Sequence, residues 1–170
     1  MIRPNGPHGT AHHNGAPGRE DIPPANSPWV KVNEVLPNWD SEEGGVIELF
    51  NSEESPSDIS GWYLTNEYGN PKKHQYPPNT IIEPQGYFLV DGINEFDPKG
   101  GEVWLFSADG KGNFTGYIHG FLFGAQEPGI TFGRLTTSTG EEHFVAQGQN
   151  TLGYPNSGPL IHPVVFEEIM

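Results

Sequence analysis

Cysteine is absent from all 170 residues. Disulfide frameworks and thiolate metal sites are therefore excluded. Bases are scarce: 8 stand against 22 acids, for a formal net charge of −14. That field repels phosphate backbones and anionic lipid, so nucleic acid is not an expected partner. The one basic group, Lys72–Lys73–His74, is too small to form a stripe. No apolar run approaches the ~20 residues of a spanning helix, so membrane insertion is not expected either. The opening "MIRPNGPHGTAHHNG" lacks the apolar core of a signal peptide, and any export signal is expected outside this chain. Helical periodicity is not sustained over any window of about 11 residues. There is no Gly-x-Ser-x-Gly elbow and no phosphate-cradling glycine loop.

Glycine (23) and proline (17) are plentiful, and they punctuate the whole chain. Residues 1–28 hold Pro, Gly, His and Asn with almost nothing to bury, so they read as linker or tail. His8, His12 and His13 could take up a metal ion, but a solvated segment that happens to carry His accounts for them. From Trp29 the texture changes. "WVKVNEVL" (Trp29–Leu36), "VIELFN" (Val46–Asn51), "GWYLT" (Gly61–Thr65), "GYFLVD" (Gly86–Asp91) and "EVWLFS" (Glu102–Ser107) are short, apolar and β-branched or aromatic. His74–Tyr76, Asn113–Phe121, Ile130–Leu135 and His143–Ala146 complete the set. Seven to nine short strands recurring every 10 to 15 residues, with Gly/Pro turns between them, predict an all-β sandwich. Trp62, Trp104, Phe88, Phe106 and Phe132 are its expected core aromatics.

The order of these pieces resembles a known family. "IELFNSEESPSDISGWYLTNEYGNPKKHQYPPNTIIEPQGYFLV" (Ile47–Val90) is similar to the lamin tail domain in its bacterial form. "GGEVWLFSADG" (Gly100–Gly110) and "FGAQEPGITFGRLTTSTGEEHFVA" (Phe123–Ala146) continue the likeness, and "NTLGYPNSGP" (Asn150–Pro159) resembles the family's exit. The resemblance covers about residues 29–159 and implies an immunoglobulin-like β-sandwich without catalysis. In bacteria such modules stand in large exported or surface proteins, often in series. Gly45–Val46 replaces the acidic–aromatic pair frequent in the family, and Asn94–Gly100 is shorter than usual. Neither a heptad rod nor a basic targeting run is present, so lamin biology does not carry over.

Individual residues admit sharper readings. Glu34 and Glu48 stand in apolar strands; strict alternation puts Glu34 on a face with Val30, Val32 and Leu36, and Glu48 with Val46 and Phe50. Paired carboxylates can act as acid and base or hold a hard cation, but hydrogen-bonded acceptors at a core margin are the commoner outcome. Asp40, Glu42 and Glu43 form the best weak Ca²⁺ candidate, on an acidic loop. Asp109, Gly110 and Asn113 faintly resemble a calcium loop, but a tight hairpin turn explains them. His119, between Tyr117 and Phe121, reads as a hydrogen-bonded sandwich histidine; His74 and His143 stand apart from it. Trp39 and Tyr68 sit in loops, where an aromatic ring can stack on a sugar or anchor a protein.

The expected protein is thus a non-catalytic binding or spacer module, with no catalytic residue and no cofactor. A protein or surface component is its expected partner, outside the cell or on its surface. A Ca²⁺-dependent or carbohydrate-binding adhesion module is the alternative, and a hydrolase with an unrecognised acidic site the third. The closing "PVVFEEIM" repeats the pattern of "WVKVNEVL"; residues 160–170 read as an extra strand, the start of a following repeat or a strand pairing along an open edge.

Overall fold

The structure is a computed structural model that describes residues 29–37, 42, 44–93, 96–97, 99–125 and 127–161. Eleven strands follow one another, with no helix among the described residues: β1 (Val30–Leu36), β2 (Gly45–Asn51), β3 (Ser57–Asp58), β4 (Tyr63–Thr65), β5 (His74–Gln75), β6 (Ile81–Ile82), β7 (Tyr87–Ile93), β8 (Gly100–Ala108), β9 (Phe114–Gly124), β10 (Phe132–Thr136) and β11 (Glu142–Ala146). The count exceeds the expected seven to nine by β3 and β6, each only two residues long; β5 is the short strand expected at His74–Tyr76. A five-stranded sheet has the order β11-β10-β1-β2-β7 and a four-stranded sheet the order β5-β4-β8-β9, while β3 and β6 form a small ribbon. Every pairing is antiparallel. The strand expected at "PVVFEEIM" lies outside the described residues.

The two sheets close over one core. Val30, Val32, Val35, Ile47, Leu49, Val90 and Phe132 come from the first, and Leu64, Val103, Leu105, Tyr117, Phe121 and Phe123 from the second. Each such side chain, fully buried, is worth roughly 1.5–3 kcal/mol of transfer free energy. Trp62 and Phe132 are core residues as expected, and Phe88 packs against the core's margin. Trp104 and Phe106 are not part of this core. In β8 the inner face goes to Val103 and Leu105, so period-2 alternation turns Trp104 and Phe106 outward.

Strand β1 is irregular in two places. Val32 pairs with Leu49 and Glu34 with Glu48, so Asn33 is an extra residue in β1, a β-bulge. β10 pairs with β1 only at Glu34↔Gly133 and Val35↔Phe132. Beyond that point the edge of β1 is completed from the opposite sheet: the Tyr117 hydroxyl donates to the Val30 carbonyl (2.9 Å), and Val32 N–H donates to Nδ1 of His119 (3.1 Å).

Candidate functional site

The bulge corrects the face expected for Glu34. With Asn33 looped in, Val35 joins Val30 and Val32 in the core, and Glu34 turns to the outer face beside its partner Glu48. Both carboxylates are nevertheless fully buried. Their cover is the segment from Gln147 to Leu160. Thr151 donates to Glu34 through its amide (3.0 Å) and its hydroxyl (2.6 Å), and the Gly153 amide donates to Oε2 of Glu48. Oε1 of Glu48 accepts from Asn33 Nδ2 at 2.7 Å. Each carboxylate is thus a double acceptor, the arrangement a buried acid requires. Burial pushes Glu48 up to about 7, against the donors Gly153 and Asn33, and the neighbouring Glu34 adds to the rise. Gly133 leaves the room for this covering segment, since a Cβ there would lie 2.6 Å from Nε2 of Gln147.

A second polar group fills the gap where β10 leaves β1. Glu142 accepts from Lys31 Nζ and Arg134 Nη1 (3.2 Å) on one oxygen and from His119 Nε2 (3.2 Å) on the other. The bond from Val32 N–H fixes the tautomer: Nδ1 is the acceptor, so Nε2 carries the proton toward Glu142. Burial holds the His119 pKa below its ordinary value, so the ring is neutral at pH 7 despite its carboxylate partner. Burial also works against the charge on Glu142, but hydrogen bonds from His119 and Lys31 outweigh it and set the carboxyl at about 2. Both ring nitrogens of His119 are occupied, which leaves none for a proton transfer or a ligand bond. Asn33 joins the two groups, accepting from Arg134 Nη2 (3.3 Å) and donating to Glu48 and to Asn156 Oδ1 (2.8 Å).

The outer face of the four-stranded sheet is built differently. Tyr63, Phe106 and Ala108 form a second apolar cluster, with Trp104 and Ile118 packed on it. Trp104 stands opposite Gly120, where a Cβ would lie 2.0 Å from the Val103 carbonyl and 2.8 Å from the indole, so glycine lets the ring lie close to the sheet. Tyr68 meets Trp104 edge-on (5.0 Å, 72°) and its amide donates to Glu102, which also accepts from Trp104 Nε1 (2.9 Å). Phe114 packs on Tyr63 and Phe106, and the Lys72 ammonium lies 5.3 and 5.0 Å from the ring centres of Tyr63 and Phe114. Tyr68, Phe114 and Leu122 remain exposed, Leu122 at 58%.

Of the residues singled out in the sequence, Tyr68 thus belongs to this aromatic face. Trp39, Asp40 and Glu43 lie outside the described residues, as do His8, His12 and His13, and Glu42 is an exposed turn residue. Asp109 and Asn113 bracket the β8–β9 loop: Asp109 Oδ1 caps the amides of Lys111 and Asn113, and the Asn113 side chain closes on both its oxygens. Those bonds, from Asn113 first, hold Asp109 below the ordinary carboxylate range. The loop spans five residues, longer than a two-residue Asp-Gly turn. His74 stacks edge-on against Tyr76, far in chain and sheet from His119. Among the described residues no three His, Asp or Glu side chains converge as a metal-ligand set. Lys31, Asn33, Arg134, Glu142 and Asn156 escaped the sequence reading; the one visible signal was Asn33, a polar residue inside an apolar strand.

These features define a class: an antiparallel sandwich whose buried ionisable groups are tied to one another and to the backbone. A family model described as Lamin Tail Domain matches residues 23–147. The chain belongs to that family, a set of immunoglobulin-like modules that are typically non-catalytic. No curated protein and no solved structure matches the chain.

Proposed function

We propose that this chain is a binding and spacer module of a larger exported bacterial protein, and that it presents the outer face of β4, β8 and β9 to a protein partner at or outside the cell surface. The observation that carries this reading is the aromatic cluster on that face. Tyr68, Phe114 and Leu122 are exposed on a surface that already holds Trp104, Phe106 and Tyr63 in ring-to-ring contact. Rigid aromatic anchors flanked by polar groups are the usual composition of a protein-binding patch. The strong negative charge of the chain favours partners with basic surfaces. Among the described residues no helix is long and apolar enough to cross a membrane.

The test sets this reading against its two rivals. Calorimetry with Ca²⁺ and a glycan array are both expected to be silent. Either signal, removed by Tyr68→Ala, would replace the proposal with an adhesion module. A hydrolase screen showing turnover abolished by Glu34→Gln or Glu48→Gln would replace it with an enzyme.

A further inference from the structure

We propose that Gln147–Leu160 is a strap that lifts from the outer face of β1 and β2 as a unit, independently of the sandwich, with Glu34 and Glu48 as its two latches. Its neck is closed: Gln147 bridges Pro159, Gly148 N–H donates to the Gly158 carbonyl (3.0 Å), and Leu160 N–H donates to the Ala146 carbonyl (2.7 Å). Between these ends runs an Ω-like loop. Past Gln147 no strap residue is buried, and Tyr154 is 71% exposed. Apolar burial therefore contributes little, and the tip is held by the bonds of Thr151, Gly153 and Asn156 to Glu34, Glu48, Asn33 and Arg134. A segment with few buried apolar contacts and a handful of polar ties opens well below the cost of global unfolding.

The latches also give the strap a direction with pH. From Gln147 to Ile161 the chain has no charged residue, so the strap brings only amide and hydroxyl donors to two neighbouring carboxylates. The titratable and charged groups around Glu48 are Glu34 on β1, Tyr87 on β7 and, next to Tyr87, Arg134 on β10; Lys31 shares the outer face of β1, and the strap's one titratable side chain, Tyr154, is 71% exposed. Lys31 and Arg134 are engaged by Glu142, and Tyr87 is pushed above its ordinary value, so it stays neutral near pH 7. Glu48 is a latch whose proton is in play: held up to about 7 when covered, it returns toward its ordinary 4.5 once the tip lifts into water. Its folded value is raised, so closure is favoured at low pH and weakens as pH rises from 4.5 toward 7.

Amide exchange by NMR on the full chain, corrected for intrinsic rates, tests both parts at pH 5.5 and 7.5. The Thr151 and Gly153 amides are expected to exchange through an opening at least 10-fold more frequent than that of Leu105 in the core, on the order expected of local opening. Gly153 protection should fall about 10- to 20-fold between the two pH values, and Glu48→Gln should remove that fall. Thr151→Val, which deletes one bond to Glu34, should raise opening about 5-fold at both pH values while Leu105 is unchanged. Exchange of Thr151 and Gly153 at the rate of Leu105 would overturn the strap, and a pH effect that survives Glu48→Gln would overturn the latch. Should Glu48→Gln not fold, the wild-type profile and Thr151→Val still decide.

Discussion

Replacing Glu142 by Gln isolates the group that holds β1 to the β10–β11 hairpin. Gln keeps the volume but offers one acceptor where three donors now arrive, from Lys31, Arg134 and His119. His119 is 2% exposed, and its Nε2–H would be left short of an acceptor, at about 1–3 kcal/mol. Lys31 and Arg134 would lose their shared counter-charge, but their side chains are 24% and 17% exposed, so water recovers part of that loss. A carboxyl lowered from 4.5 to about 2 represents about 3 kcal/mol of linked stability, which solvent screening reduces to about 2 kcal/mol. We therefore expect Glu142→Gln to cost about 2 kcal/mol at pH 7, a Tm loss of about 6–10 °C for a domain of this size. The folded value lies below the ordinary one, so this stability is present above pH 4.5 and is lost as pH falls toward 2. Urea denaturation followed by tryptophan fluorescence should show the two proteins well separated at pH 7 and converging near pH 2. A difference under 0.5 kcal/mol at pH 7, on the order of an ordinary surface substitution, would refute the reasoning.

Two further substitutions probe the neighbouring features. Gly120→Ala places a Cβ against the Val103 carbonyl and the Trp104 indole, and should cost about 2–3 kcal/mol, seen as a lowered Tm and a shift in tryptophan emission. Asn33→Ala removes the junction among Arg134, Glu48 and Asn156, and should cost about 2 kcal/mol in chemical denaturation while the circular-dichroism spectrum stays that of the wild type.

Strands were legible wherever apolar and β-branched residues run together, and β1, β2, β7 and β8 fall within two residues of where the sequence puts them. The family was legible too, because the order of its pieces survives even where no single piece is distinctive. What stayed hidden depends on contacts distant in the chain. β3 and β6 are two residues each, held by a register no local pattern announces. Glu142 meets Lys31 across 111 positions, and Glu34 meets Thr151 across 117. Trp104 and Phe106 misled because aromatic content marks a strand without saying which face it lies on. A sheet can cover its outer face with aromatics as readily as its inner one.

The bulge in β1 also bears on how this sandwich is put together. Struck out of "VKVNEVL", Asn33 leaves V-K-V-E-V-L, an uninterrupted alternation in which every valine faces inward and Lys31, Glu34 and Leu36 outward. Pairing with β2 therefore has no need of the residue, which stands in the strand as an insertion. What it supplies is a meeting point for the β10 cation, the β2 acid and the strap. Sheet register and polar junction are thus separate properties of the strand: the alternation sets the register with β2, and one inserted residue links the Glu142 group to the Glu34–Glu48 pair.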